Sequence, residues 1–381
     1  MRYYLIAGEA SGDLHGSNLI KELKCLDPDA TIRCWGGDLM KGQGGELVKH
    51  YRDLAFMGFT EVISHLPVIF RNLRFCKEDI LKFNPDVLIL VDYPGFNLRI
   101  AKFASKQGIR VFYYISPQLW AWNSSRVKKI KSFVERMFVI LPFEKEFYAR
   151  YGYSVDYVGH PLMDVITDFE TGELHRENFL LRNNLSDTPV IAILPGSRKM
   201  EIGKMVREML SVISSFPDYQ FVIAAAPSID PDFYTRYTGN DRVRIVSGQT
   251  YELLRNSAAA LVTSGTATLE AALLGVPQVV CYKGNYLSYE IARKIVKVKF
   301  ISLVNLIADK QLVVELIQQD LTRQNIEKEL IRVLGDETVR QQIFTGYERL
   351  REQLGGRGAA SRTAALMVQY LRENRVYKPT K

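Results

Sequence analysis

Cysteine and histidine are scarce in this 381-residue chain, at four and five residues. Cys25, Cys34, Cys76 and Cys281 lie far apart with no C-x-x-C pair. That spacing excludes a disulfide framework and a Cys/His zinc site, and reduced, buried thiols are expected. No uncharged apolar run approaches the roughly 18 residues of a membrane-spanning helix. The best stretch, Val111 to Ser125, is broken by Pro117, Gln118 and Asn123. Arg2 is followed only by a short apolar run ending at Gly8. This lacks the apolar core and small-residue cleavage site of a secretory signal, so a cytoplasmic location is expected. There is no internal repeat and no low-complexity tract. With 47% hydrophobic and 24% charged residues, the chain is neither disordered nor fibrous.

Lys and Arg number 50 against 42 Asp and Glu, a net charge of +8. The excess suits anionic partners such as nucleotide phosphate or acidic lipid. The basic residues are dispersed among acids rather than gathered in a stripe, which argues against nucleic acid. Length suggests two domains.

Short Val/Ile-rich runs alternate with helix-period stretches, the pattern of parallel sheets in an α/β protein. Strands are expected at Tyr3–Ala7, Ile32–Trp35, Val87–Val91, Val111–Ile115, Met137–Leu141 and Val155–Val158. After a polar stretch, Asp164–Asp187, the plan repeats with Val190–Leu194, Phe221–Ala225, Val243–Val246, Ala260–Thr263 and Gln278–Tyr282. We expect a Rossmann-like domain over 1–165, a second over 166–340, and C-terminal helices over 341–381. In such folds the loops after the carboxyl ends of the strands carry the ligand sites, here expected to face one interdomain cleft.

The first strand runs into Ala7-Gly8-Glu9-Ala10-Ser11-Gly12-Asp13. Its glycines miss the G-x-G-x-x-G spacing, so a dinucleotide fingerprint is not supported. Glu9 or Ser11 touches substrate, or Asp13 simply caps the following helix. The Val87–Val91 strand ends in Asp92-Tyr93-Pro94-Gly95-Phe96-Asn97. A carboxylate at that end is a general base, orients a sugar hydroxyl, or caps the loop. Ser116 to Trp122 brings Trp120 and Trp122 next to Arg126, Lys128, Lys129 and Lys131. This is either an acyl or sugar surface near phosphate, or two core tryptophans and a solvated basic face.

In the second half, Leu194-Pro195-Gly196-Ser197-Arg198 offers backbone N–H groups, a hydroxyl and a guanidinium to a phosphate. Ser264-Gly265-Thr266 opens a helix with Glu270 one turn inside. Pyrophosphate on Gly265 and Thr266 with a ribose diol on Glu270 is the natural fit, against a merely favourable charge near a helix start. The Asp-Pro-Asp triplets at 27–29 and 230–232 read as turns. His160 either touches the nucleotide or is structural. Residues 56–77 combine Met57, Val62, Leu66 and Phe70 with Arg71, Arg74 and Lys77, interrupted by Pro67. Such a segment lies in a bilayer interface beside anionic lipid, or is a buried core helix.

Taken together, Ala7–Asp13, Asp92–Asn97, Ser116–Trp122, Leu141–Lys145, Gly159-His160, Leu194–Arg198, Ser264–Glu270 and Ser302–Leu306 resemble the bacterial lipid-A-disaccharide synthases. The resemblance covers nearly the whole chain and implies a GT-B glycosyltransferase. It implies inverting transfer of 2,3-diacylglucosamine from UDP-2,3-diacylglucosamine to 2,3-diacylglucosamine 1-phosphate (lipid X), with no metal and no cofactor. It makes the N-terminal domain the acceptor and lipid side and the C-terminal domain the UDP-sugar side.

By position, Asp92 matches an acid needed for activity and Glu9 a second carboxylate in the same site. Arg198 matches a phosphate-binding arginine, Glu270 a ribose contact and Asn305 an active-site amide. Gly196, Ser197, Ser264, Gly265 and Thr266 fall on the UDP side. Ser11, Asn97, Trp120, Trp122 and the 57–74 segment fall on the substrate and lipid side. Gly95 departs from relatives that carry an acid there, which strengthens Asp92. The resemblance also implies a homodimer, with the C-terminal helices packed back on the first domain or exchanged, and peripheral attachment to inner-membrane lipids.

Two rivals remain. A UDP-sugar epimerase of the same fold explains the nucleotide loops but not the apolar basic segment. A non-catalytic nucleotide- or lipid-binding module predicts that Asp92→Ala leaves its role intact.

Overall fold

The computed structural model describes residues 1–53, 66–122, 126–172, 175–197, 199–226, 229–284 and 298–373. In chain order the first elements are β1 (Arg2–Ala7), α1 (Ala10–Leu26), β2 (Thr31–Gly36), α2 (Asp38–Gly42), β3 (Glu46–His50), α3 (Leu66–Phe83), β4 (Val87–Val91) and α4 (Pro94–Lys106). They are followed by β5 (Arg110–Tyr114), α5 (Leu119–Trp122), α6 (Val127–Lys131), β6 (Arg136–Val139), α7 (Pro142–Ala149), β7 (Asp156–Tyr157) and α8 (Leu162–Glu170). Then come α9 (Arg176–Arg182), β8 (Val190–Leu194), α10 (Lys199–Leu210), β9 (Gln220–Ala225), β10 (Val243–Ser247), α11 (Thr250–Arg255) and β11 (Ser257–Thr263). The chain ends with α12 (Thr266–Leu273), β12 (Gln278–Tyr282), α13 (Leu303–Ala308), β13 (Val314–Ile317), α14 (Arg323–Gly335), α15 (Glu337–Leu354) and α16 (Ala359–Arg372).

The chain divides into one unit of residues 1–164 with 356–381, and a second of 165–355. The first holds a seven-stranded parallel sheet in the order β3-β2-β1-β4-β5-β6-β7. Its central strands, YLIA and VLILV, are buried on both faces, as helix-covered parallel strands must be. One face packs Tyr4, Ile6, Leu88 and Leu90 against Leu73, Cys76 and Ile80 of α3 and Ile100 of α4. The other packs Leu5 and Ile89 against Leu19, Leu23 and, from the far end of the chain, Ala364, Met367 and Val368. Burying Met367 and Val368 contributes roughly 1.5–3 kcal/mol each, and α16 is further tied by Arg362 to the Val158 carbonyl at 2.9 Å.

The second unit repeats the plan with six parallel strands, β10-β9-β8-β11-β12-β13. The expected strands are all present; β3 and β13 went unread because their alternating, charged sequences ELVKH and VELI lack a continuous apolar run. The expected C-terminal block divides differently from the reading at residue 341. α15 stays with the second unit, where the Tyr347 hydroxyl donates to the Val276 carbonyl at 3.2 Å, and only α16 joins the first. Pro67 is the second residue of α3 as described, in the first turn, where a missing N–H costs the helix nothing. No described helix is long and apolar enough to cross a membrane.

In each sheet the strand order reverses at one place, between β1 and β4 and between β8 and β11. Crevices at the carboxyl ends of strands at such a switch point bind ligands. Glu9 follows β1 and Asp92 follows β4. The loops 194–197 and 263–266 follow β8 and β11. Both groups of residues stand where the topology puts ligands.

Candidate functional site

In the first unit the Asp92 backbone is left-handed, with φ of 44°, and Tyr93 follows at 49°. Non-glycine residues are held in this region only when their surroundings fix them, and the strain concentrates at functional sites. The fixing groups are explicit. The Asp92 N–H donates to the Tyr114 carbonyl at 3.1 Å, and its carbonyl accepts from the Tyr113 hydroxyl and from Asn97 Nδ2, the latter at 2.7 Å. Gly8 completes the packing, because a Cβ there would collide with the Tyr93 ring. Burial, and then the Glu9 carboxylate, push the Asp92 carboxyl up to about 6. A carboxylate at a switch point poised near neutrality has the chemistry to accept a proton.

The residues around it take definite places. Glu9 and Ser11 are exposed. Asn97 is fully buried and its Nδ2 donates to the Ile6, Val91 and Asp92 carbonyls, so it braces the Asp92 turn in place of the exposed substrate contact expected. Asp13 does not cap its own helix; its carboxylate accepts the N–H groups of Gly37, Leu39 and Met40 at 2.7–3.2 Å and caps α2. His160 is buried, its Nδ1 accepts the Leu162 N–H at 3.2 Å, and burial followed by His15 lowers it to about 3. It is a neutral structural histidine at the start of α8. Asp230 bonds the Asp232 N–H at 3.0 Å, the turn expected.

Trp120 is half-buried with its ring edge-on to Phe143 at 5.0 Å. Beneath it Ser116 donates to Glu144 at 2.8 Å, and Glu144 accepts the Leu141 N–H at 2.9 Å. Burial raises the Glu144 carboxyl to about 7. Glu144 stands three residues after Leu141, the N-cap of α7, and supplies the carboxylate half of a helix cap. On α3, Phe70, Phe75 and Leu81 are exposed, as are Arg71 and Arg74. Met57, Val62 and the side chains of Leu66 and Trp122 lie outside the described residues.

In the second unit the two glycine loops line a cavity of about 410 Å³, with Gly196, Ser197, Ser264, Gly265, Thr266 and Glu270 in its wall. Gly196 has a φ of 98°, closed to most side chains. Glu270 is held by the Tyr251 hydroxyl at 3.1 Å, and burial raises its carboxyl. Tyr251 carried no sequence signal. Arg198 lies outside the described residues.

Asn305 is fully buried and does not line this cavity. Its Oδ1 accepts the N–H groups of Leu312 and Val313 at 2.7 and 2.9 Å, and its Nδ2 donates to the Val313 carbonyl and Glu315 at 2.8 Å. Glu315 in turn accepts the Ile301 N–H, and the Ile301 carbonyl accepts from Ser264 Oγ at 2.7 Å. Asn305 therefore supports the Ser264 loop from behind, in place of the direct catalytic contact expected. Among the described residues no group of three or more His, Cys, Asp and Glu is arranged to hold a metal ion.

The backbone resembles solved structures along its whole length. A UDP-GlcNAc 2-epimerase from Neisseria meningitidis, bound to UDP-GlcNAc, matches with a TM-score of 0.68 at 14% identity, over 98% of this chain and 100% of that one. The calicheamicin glycosyltransferase CalG4 matches with a TM-score of 0.61 at 19% identity, over 98% and 99%. At these identities the likeness establishes the fold, a GT-B arrangement of two Rossmann-like domains.

Sequence relatives go further. The lipid-A-disaccharide synthases of Myxococcus xanthus and Geobacter metallireducens are 39% and 38% identical, each over 98% of this chain and over 99% and 98% of the relative. The family model described as lipid-A-disaccharide synthetase matches residues 3–369. The chain therefore belongs to the lipid-A-disaccharide synthase family.

Proposed function

We propose that this chain is a glycosyltransferase that moves 2,3-diacylglucosamine from UDP-2,3-diacylglucosamine to the 6-hydroxyl of 2,3-diacylglucosamine 1-phosphate, and that Asp92 is its general base. Family membership makes the chain a lipid-A-disaccharide synthase. The observation that carries the role of Asp92 is its strained, clamped backbone, with the carboxyl pushed up to about 6 beside Glu9. At pH 7.5 such a group is ionised yet more basic than an ordinary carboxylate, as a proton acceptor should be.

The acceptor's 6-hydroxyl gives its proton to Asp92 as its oxygen bonds to the anomeric carbon. The bond from that carbon to the β-phosphate oxygen breaks from the opposite face, inverting the centre and releasing UDP. The uridine ribose sits on Glu270, oriented by Tyr251, and the pyrophosphate lies against Gly196, Gly265 and Thr266. Arg198, by its place in the sequence, meets the charge growing on the leaving phosphate without a metal.

Exposed Phe70, Phe75 and Leu81, with Arg71 and Arg74 on the same helix, support peripheral contact with inner-membrane lipid from the cytoplasmic side. A homodimer follows from the family resemblance and is checked by light scattering at graded concentrations. The test of the main reading is a mass-resolved assay in detergent with both substrates and EDTA. Disaccharide 1-phosphate and UDP in equal amounts are expected. No disaccharide there, with conversion of UDP-GlcNAc to its 2-epimer in a parallel reaction followed by proton NMR, would replace this reading with the epimerase.

A further inference from the structure

Beside the Asp92 turn, α4 and α6 enclose a groove of about 740 Å³ that none of the chemistry above uses. Buried Ile130 and half-buried Leu98 and Phe133 form its apolar floor. Around them stand Arg99, Lys102 and Lys106 from α4, with Arg126 and Lys129 from the α6 side. No acidic residue lines it among the described residues. Arg99, Lys102 and Lys106 fall at i, i+3 and i+7, on one face of α4. Like charges at that spacing repel and cost the helix a few tenths of a kcal/mol per pair. The helix dipole offsets this for Lys106 in the last turn, and the result is a cationic row over an apolar trough, a combination complementary to an anionic amphiphile.

The groove opens at Pro94 and Gly95, two and three residues beyond Asp92, so its mouth is within about 7 to 11 Å of chain from the proposed base. Apart from its chain neighbours and its own helix backbone, no atom lies within 4 Å of where a Cβ would stand on Gly95, which leaves the mouth open. Arg99 lies about 7.5 Å along the helix axis from Pro94 and Lys102 about 12 Å. Resting on the reading of Asp92 as the acceptor's base, we propose that this groove is the acceptor's phosphate site, with Arg99 and Lys102 binding the 1-phosphate of the acylated sugar whose 6-hydroxyl faces Asp92. A phosphomonoester is close to dianionic at neutral pH, and two cations flanking an apolar trough discriminate it from a neutral sugar. Acceptor specificity then resides in α4.

The experiment is equilibrium binding of 2,3-diacylglucosamine 1-phosphate, and of the same sugar with a free 1-hydroxyl, to the full chain in neutral detergent micelles. Wild type, Arg99→Gln/Lys102→Gln and Arg99→Lys/Lys102→Arg are compared, with acceptor KM measured in parallel. Wild type should prefer the phosphorylated sugar by tenfold or more. The double glutamine variant should lose at least fivefold of that preference and raise the acceptor KM by a similar factor. The charge-conserving variant should recover most of both.

Sedimentation with phosphatidylcholine vesicles carrying 30% phosphatidylglycerol separates the other source of phosphate. Loss of vesicle binding with an unchanged acceptor preference would overturn the proposal in favour of bulk lipid. An unchanged preference in both formats would overturn it outright. If wild type makes no disaccharide but still binds the phosphorylated sugar through Arg99 and Lys102, the site stands and the transfer reading fails.

Discussion

Replacing Asp92 with asparagine should stabilise the protein at pH 8 while disabling it. The Asp92 carboxyl rises from 3.8 unfolded to about 6 folded, through burial and then the charge of Glu9. An acid with a raised folded pKa binds more protons in the folded state than in the unfolded state between those two values. Its cost to stability is absent below pH 3.8, grows as pH rises through the window, and is complete above about 6. Two pKa units correspond to a ceiling of about 3 kcal/mol, and solvent at this half-buried group brings it nearer 2.

Asparagine keeps the shape and removes the charge. Thermal unfolding monitored by circular dichroism at pH 8 should therefore shift upward by roughly 4–8 °C, at about 2–4 °C per kcal/mol for units of this size. At pH 4 the two proteins should nearly coincide. The same variant should lose about 10²- to 10⁴-fold in kcat, the worth of a positioned general base. An equal Tm difference at both pH values, or destabilisation at pH 8, would refute the argument that a strained charge is held there for catalysis.

Further outcomes follow from the same geometry. In isothermal titration, Glu270→Gln should weaken UDP binding by roughly tenfold, and Tyr251→Phe should weaken it less, since a single net hydrogen bond is worth about 1 kcal/mol; unchanged affinity in Glu270→Gln would remove the ribose contact. Asn305→Ala leaves two buried N–H groups and a carbonyl unpaired and should cost about 3 kcal/mol of denaturant stability. Loss of activity from that variant at full stability would instead return Asn305 to a direct role. In wild type, kcat/KM should rise with pH and level off above about 6, and a plateau already complete at pH 4.5 would take the base away from Asp92.

The sheets were legible because strands such as Val87–Val91 and Val190–Leu194 are buried on both faces and read as unbroken apolar runs. Edge strands β3 and β13 are only partly buried and carry charged residues of their own, so they hold no such run. Asp92 and Glu270 were legible as carboxylates placed just after a strand or one turn inside a helix. The roles of Asn97, Asp13 and Asn305 were not. A buried amide or carboxylate that satisfies backbone groups 5 to 27 residues away leaves no trace in local spacing. Tyr251 was hidden for the same reason, since its partnership with Glu270 spans 19 residues and exists only once β11 and α12 are in place.

The most direct measurement is the mass-resolved transfer assay with EDTA, run on wild type and Asp92→Ala at matched folded concentration and at pH 7.5. The account predicts disaccharide 1-phosphate and stoichiometric UDP from wild type and at least a hundredfold less from Asp92→Ala, with UDP affinity preserved in the variant. Comparable product from both proteins would contradict it, because the strained carboxylate at the β4 end would then have no part in the reaction.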